Sequence, residues 1–167
     1  KATAIILRRG PSKEVLLISW NLDDDSLHFG QWFRGRIYER RCDLSPSGDL
    51  FIYFAAKYRG PMFSWTAVSK PPYLTALALW PKGDGWGGGG IFRSETSINL
   101  NHGPSECTLS ETLRLDNRLE VNLFGDSSGM GEDYPLYDSL LEKRGWKLIE
   151  EGEVVTSPWD AKVRHVW

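Results

Sequence analysis

Residues 31–41 read Gln-Trp-Phe-Arg-Gly-Arg-Ile-Tyr-Glu-Arg-Arg, four arginines set among three aromatic rings. If the stretch is a strand, alternate side chains face opposite ways. Phe33, Gly35 and Ile37 then lie on a core, while Trp32, Arg34, Arg36, Tyr38 and Arg40 form an unbroken row on the other face. A guanidinium is a planar fork that matches carboxylate or phosphate and stacks on aromatic faces. Trp and Arg are also enriched at the energetic centres of protein interfaces. The row is therefore expected to bind a protein or a small anionic ligand. The competing expectation is a solvated face whose arginines pair with Asp23, Asp24 and Asp25 across the preceding turn, where surface pairs contribute only about 0–1 kcal/mol.

A second candidate is Gly125-Asp126-Ser127-Ser128-Gly129. It fits Gly-x-Ser-x-Gly, the turn on which α/β-hydrolases raise a serine nucleophile between a strand and a helix. Such a serine needs a histidine oriented by an acid. Asp160 and His165 follow in the matching order, whereas His28 and His102 lie upstream. The residues after Ser128 hold further turn formers and delay any helix, so a polar turn is the expectation. A hydrolase using Ser127, His165 and Asp160 is the alternative.

The third candidate is Leu-Trp-Pro-Lys-Gly-Asp-Gly-Trp-Gly-Gly-Gly-Gly-Ile-Phe, residues 79–92. Gly83, Gly85 and Gly88 satisfy Gly-x-Gly-x-x-Gly, but a pyrophosphate cradle needs a helix to begin directly afterwards. The chain runs on as Ile-Phe-Arg-Ser, which is strand-like. The glycines are expected to shape a β-loop where another backbone or a ligand comes close, with Trp86 packed down as an anchor or turned out as a contact residue. No cofactor and no metal is implied: His28, His102 and His165 are isolated, and Cys42 and Cys107 stand far apart. The cysteines are expected to be two buried, reduced thiols.

The elements that must position these residues read as strands joined by turns. Thr3–Arg9 and Glu14–Trp20 flank Gly-Pro-Ser-Lys, and Phe51-Ile-Tyr-Phe-Ala-Ala follows a Ser-Pro-Ser-Gly turn. That last run is apolar on both faces, as a central strand covered on both sides should be. Residues 63–80 repeat the arrangement, and 113–124 and 143–155 predict further hairpins. Pro135, Gly145 and leucines at 136, 140 and 141 predict one short helix near 135–144.

The totals fit one β-rich domain over residues 1–167, with 41% apolar residues and a net charge of −2. That balance makes nucleic acid an unlikely partner, and no apolar run is long enough to span a membrane. A bacterial, cytoplasmic, soluble protein is the expectation. The start at Lys1 fits a chain trimmed, processed or cut from something larger. Eight tryptophans favour either a well-packed sheet core or an aromatic binding surface.

The stretch Leu-Ser-Pro-Ser-Gly-Asp-Leu-Phe-Ile-Tyr-Phe-Ala, residues 44–55, resembles the repeat of WD40-like propellers of the TolB type, with an echo at 68–80. The resemblance implies blade-like antiparallel hairpins. The units are unevenly spaced, the Trp-Asp dipeptide is missing between them, and Ser-Lys-Pro-Pro replaces the turn in the echo. The chain as a whole resembles bacterial proteins of unassigned function, which implies no activity. The combined expectation is mainly β: antiparallel hairpins, propeller-like or an open sheet packed on itself, serving a non-enzymatic interaction module.

Overall fold

The computed structural model describes residues 2–109, 119–150, 153–155 and 164–165. It is mainly β, with one α-helix and no closed barrel among the described residues. In chain order the strands begin with β1 (Thr3–Arg9), β2 (Glu14–Asn21), β3 (Ser26–Arg34), β4 (Arg36–Ile37) and β5 (Asp43–Leu44). Next come β6 (Phe51–Ala56), β7 (Ser64–Ser69), β8 (Ala76–Pro81), β9 (Gly90–Ser94), β10 (Ser97–Leu100) and β11 (Glu120–Leu123). Helix α1 (Leu136–Lys143) precedes β12 (Lys147–Glu150), β13 (Glu153–Val155) and β14 (Arg164–His165).

The centre is a sheet ordered β4-β6-β7-β8, with β5 also paired to β6. Every residue of β6 and β7 is buried, as the double-sided apolar pattern of Phe51–Ala56 predicts. The antiparallel register puts Tyr53 opposite Ala67 and Ile52 opposite Val68, so the two faces of this sheet can be followed residue by residue. One face, carrying Phe51, Tyr53, Ala55, Trp65 and Ala67, packs on Val15 and Leu17 of β2 and on Ile5, Leu7 and Phe33. The other, carrying Ile52, Val68, Ala78 and Trp80, packs on Phe92, Ile98 and Leu100.

The covering layers follow from those contacts. On one side lies the antiparallel sheet β1-β2-β3, whose first turn joins Thr3–Arg9 to Glu14–Asn21, with Ile6 opposite Ile18. On the other lies the sheet β11-β10-β9. The hairpin expected over 113–124 is described only in its second half. Glu120–Leu123 pairs in parallel with β10, Val121 beside Ile98, and residues 113–118 lie outside the described residues. Parallel pairing needs a crossover connection and not a tight turn. Helix α1 falls where Pro135 and Gly145 place it and lays Leu136 and Leu140 on Ile91 and Phe124. Strands β12 and β13 form the predicted antiparallel pair.

Candidate functional site

The arginine row is not one strand. β3 ends at Arg34 in the first sheet, Gly35 intervenes, and β4 begins at Arg36 in the central sheet. Gly35 fits there because a Cβ would meet the Ala56 carbonyl oxygen at 2.7 Å and the Phe33 ring at 2.5 Å. After Ile37 the chain turns through a short 3-10 segment, Glu39–Arg41. The unbroken row expected over 32–40 is therefore corrected: the chain steps from one sheet to another in its middle.

That step divides the row. Trp32, 53% exposed, sits beside Gly10, where a Cβ would touch its ring at 2.9 Å. Arg34 and Arg36 line a cleft of about 290 Å³ with Ser12, Lys13, Gly35, Ala56, Lys57, Tyr58 and Arg59. Arg36 and Tyr58 also line an adjoining cleft of about 430 Å³, shared with Tyr38, Glu39, Arg40, Arg41, Glu132 and Asp133. The expected partners Asp23–Asp25 are engaged elsewhere: Asp25 accepts from the Trp20 indole N–H, and Asp24 accepts from the Ser26 amide.

The first cleft is cationic throughout. Lys13, Arg34, Arg36, Lys57 and Arg59 converge on it, no carboxylate lines it, and none of the five takes part in an ion pair among the described residues. Two of these cations are held by rings: the Arg36 guanidinium lies 4.3 Å from the Tyr38 centroid, and the Lys57 ammonium 5.7 Å from Phe33 and 5.9 Å from Trp65. In the second cleft, cations and carboxylates are matched. Arg40 lies over the Tyr137 ring and 3.8 Å from Asp133, and Arg9 holds Glu39 at 2.8 Å.

Arg41 had no assigned role in the sequence, yet it organises the glycine loop. It is 1% exposed. Its Nε donates to Asp133 at 2.9 Å, its Nη1 donates to the carbonyls of Gly85 and Gly87, and its guanidinium lies against Tyr38 and Phe54. Residues 87–90 are buried. Gly88 runs so close to Phe54 that a Cβ would stand 2.3 Å from the ring. The glycines thus permit close packing of backbone on core, while Trp86 at the loop's head is 62% exposed. Of the two expectations for Trp86, packing down as an anchor is corrected. The buried glycines beneath leave the indole no space to turn inward.

A chain of buried polar groups underlies the loop. Thr66 Oγ1 accepts from the Gly89 amide at 2.7 Å and lies 2.8 Å from His102 Nε2, while His102 Nδ1 lies 3.0 Å from the Glu106 carbonyl. A carbonyl can only accept, so Nδ1 carries the proton and Nε2 accepts from the threonine. Burial pushes the imidazole below its ordinary value and keeps it neutral. The Lys82 ammonium, 2% exposed, bridges Asp84 at 3.0 Å and Glu106 at 2.7 Å.

The serine motif forms a 3-10 turn over Gly125–Ser127. The Ser127 hydroxyl donates to the Phe124 carbonyl, and Ser128, the buried one, donates to Leu100. No histidine among the described residues hydrogen-bonds Ser127, and His102 has both nitrogens engaged. Asp160 and the His165 side chain lie outside the described residues. The two cysteines are free, Cys42 buried and Cys107 half-buried; burial raises the Cys42 thiol far above its usual range. Among the described residues no three His, Cys, Asp or Glu side chains gather so as to hold a metal, and no helix is long and apolar enough to cross a membrane.

Sequence reasoning missed Lys13, Lys57 and Arg59. The available signal was Lys57-Tyr58-Arg59 directly following the most apolar strand, since charge at the end of a buried strand must emerge at the sheet's rim. Comparison of the chain with protein-family models, curated proteins and solved structures gives no match.

Proposed function

We propose that the protein is a non-enzymatic interaction module that captures an anionic group at the step between its two N-terminal sheets, with Arg34 and Arg36 at the centre. The observation that carries this reading is the cleft of five cations with no carboxylate in its wall. Solvated arginines on a bland surface are ordinarily interspersed with acids; here Glu39 and Asp133 are taken by Arg9, Arg40 and Arg41, and Glu14, across the strand from Arg34, does not line the cleft. Tyr38 and Arg40 border the same surface, Trp86 stands on the neighbouring loop, and Trp32 flanks the turn at Gly10. Trp, Tyr and Arg are the residue types enriched at the energetic centres of interfaces.

The test is a pull-down from a bacterial lysate with wild-type protein and an Arg34→Ala/Arg36→Ala double variant as baits. Captured material is read by mass spectrometry and ultraviolet absorbance. Both arginines are exposed, so circular dichroism should be unchanged and any loss of capture belongs to the surface. An anionic partner held by wild type and absent from the variant supports the module. Equal capture by both baits removes the cleft from the function.

A further inference from the structure

Resting on that reading, we propose that the cationic cleft is a site for a compact diphosphate group, with Lys13, Arg34, Arg36, Lys57 and Arg59 as its ligands. The argument begins with charge. A carboxylate brings one negative charge, which one arginine fork saturates. A phosphoryl group brings close to two charges and three acceptor oxygens, and five converging cations call for two such groups. Before the ligand arrives, these cations share a cleft whose lining holds no carboxylate.

The second observation is preorganisation. Tyr38 holds the Arg36 guanidinium at 4.3 Å, and Phe33 and Trp65 hold the Lys57 ammonium. Trp65 belongs to the buried central sheet, so Lys57 is anchored to the most rigid part of the fold. Cations fixed by rings lose less freedom on binding than free side chains do.

The third observation is backbone strain. Among the described residues four non-glycine residues have positive φ: Ser12 (62°), Lys13 (63°), Asp25 (59°) and Tyr58 (54°). Three of them, Ser12, Lys13 and Tyr58, line this one cleft. Left-handed backbone costs a side-chain-bearing residue roughly 1–2 kcal/mol, and such outliers gather where a binding geometry is imposed. Here they bring the turn after β1 and the turn after β6 toward each other across Gly35.

The neighbouring cleft sets the ligand's size. Past Arg36 and Tyr58 the wall sets Glu39, Glu132 and Asp133 among Arg36, Arg40 and Arg41, so the surplus of positive charge that a phosphate chain would follow ends there. A long polyanion such as a nucleic-acid backbone would have to run along these acids. A diphosphate fits within the cationic cleft and stops short of them.

The experiment is calorimetric titration of the whole chain at low salt with inorganic pyrophosphate, ADP and a hexaglutamate peptide. Lys57→Gln/Arg59→Gln, which keeps bulk and removes charge outside the arginine row, serves as the comparison. We expect pyrophosphate to bind with one site per chain, hexaglutamate to bind more weakly, and the double variant to lose about tenfold in affinity for pyrophosphate. Given that binding, ADP tighter than pyrophosphate places the diphosphate in a nucleotide, and ADP equal or weaker places it in a free diphosphate. Both outcomes support the site. Hexaglutamate bound in preference to pyrophosphate overturns the diphosphate and leaves the anion-capturing module standing. No binding of any probe overturns both, and pyrophosphate binding that the variant leaves unchanged moves the site elsewhere.

Discussion

His102 shows how a single side chain links the glycine loop to solution pH. Its imidazole joins Thr66, and through it the Gly89 amide, to the Glu106 carbonyl. Protonating Nε2 would turn it from acceptor into donor and leave the threonine hydroxyl proton without the acceptor it has now. The folded protein therefore holds the ring neutral, with burial depressing its proton affinity, whereas the unfolded chain takes up a proton near 6.5. Between the depressed folded value and 6.5 only the unfolded state is protonated. This stability is complete above about pH 6.5 and falls as the pH drops below it, by at most about 1.4 kcal/mol per pH unit. Urea midpoints at about pH 7.5 and about pH 5.5 measure the loss, and a His102→Gln variant should show a smaller difference between them. Neither this chain nor Arg41 was legible in the sequence. Both depend on partners distant along the chain: Thr66 and His102 are 36 positions apart, Arg41 and Asp133 are 92.

At the level of elements, the loop between β8 and β9 separates two uses of glycine that composition cannot tell apart. Gly83 and Gly88 both have left-handed backbone, φ +89° and +83°. A Cβ on Gly83 meets nothing within 4 Å, while one on Gly88 enters the Phe54 ring. Gly83→Ala should cost about 1 kcal/mol, the backbone penalty alone. Gly88→Ala adds overpacking of a rigid core and should cost about 2–4 kcal/mol. Thermal denaturation of the two variants side by side reads the difference. The strands themselves were legible wherever the pattern was local. Phe51–Ala56 is apolar on both faces because both faces are covered, and Thr3–Arg9 with Glu14–Asn21 closes over a four-residue turn. The row 31–41 was misread for the opposite reason. Alternation continues through Gly35 in the sequence, and nothing local records that β3 and β4 hydrogen-bond to different sheets.

For the molecule as a whole, the layered order of sheets predicts a gradient of local stability. The amides of β6 and β7 are covered on both faces and should exchange with solvent only on global unfolding, whereas those of β1 and β3, at the two edges of the outer sheet, should exchange through smaller openings. Mass-resolved hydrogen exchange over hours checks this directly; β3 as slow as β7 would contradict the layering. The cationic cleft belongs to this scale too. Its residues come from the turn after β1, the end of β3, the start of β4 and the turn after β6, so the cleft exists only once two sheets have docked. That is why three of its five cations escaped the sequence reading while the two on the arginine row did not.

The layering also follows the direction in which the chain is written. The outer sheet occupies residues 3–34, the central sheet 36–81 and the second cover 90–123. As a nascent chain leaves the ribosome, Val15, Leu17 and their partners can already shield one side of the central sheet, but Ile52, Val68, Ala78 and Trp80 remain naked until about twenty further residues, through Leu100, have been translated. At about 5–20 residues per second that interval lasts seconds, long enough for a chaperone to be the first partner this protein meets.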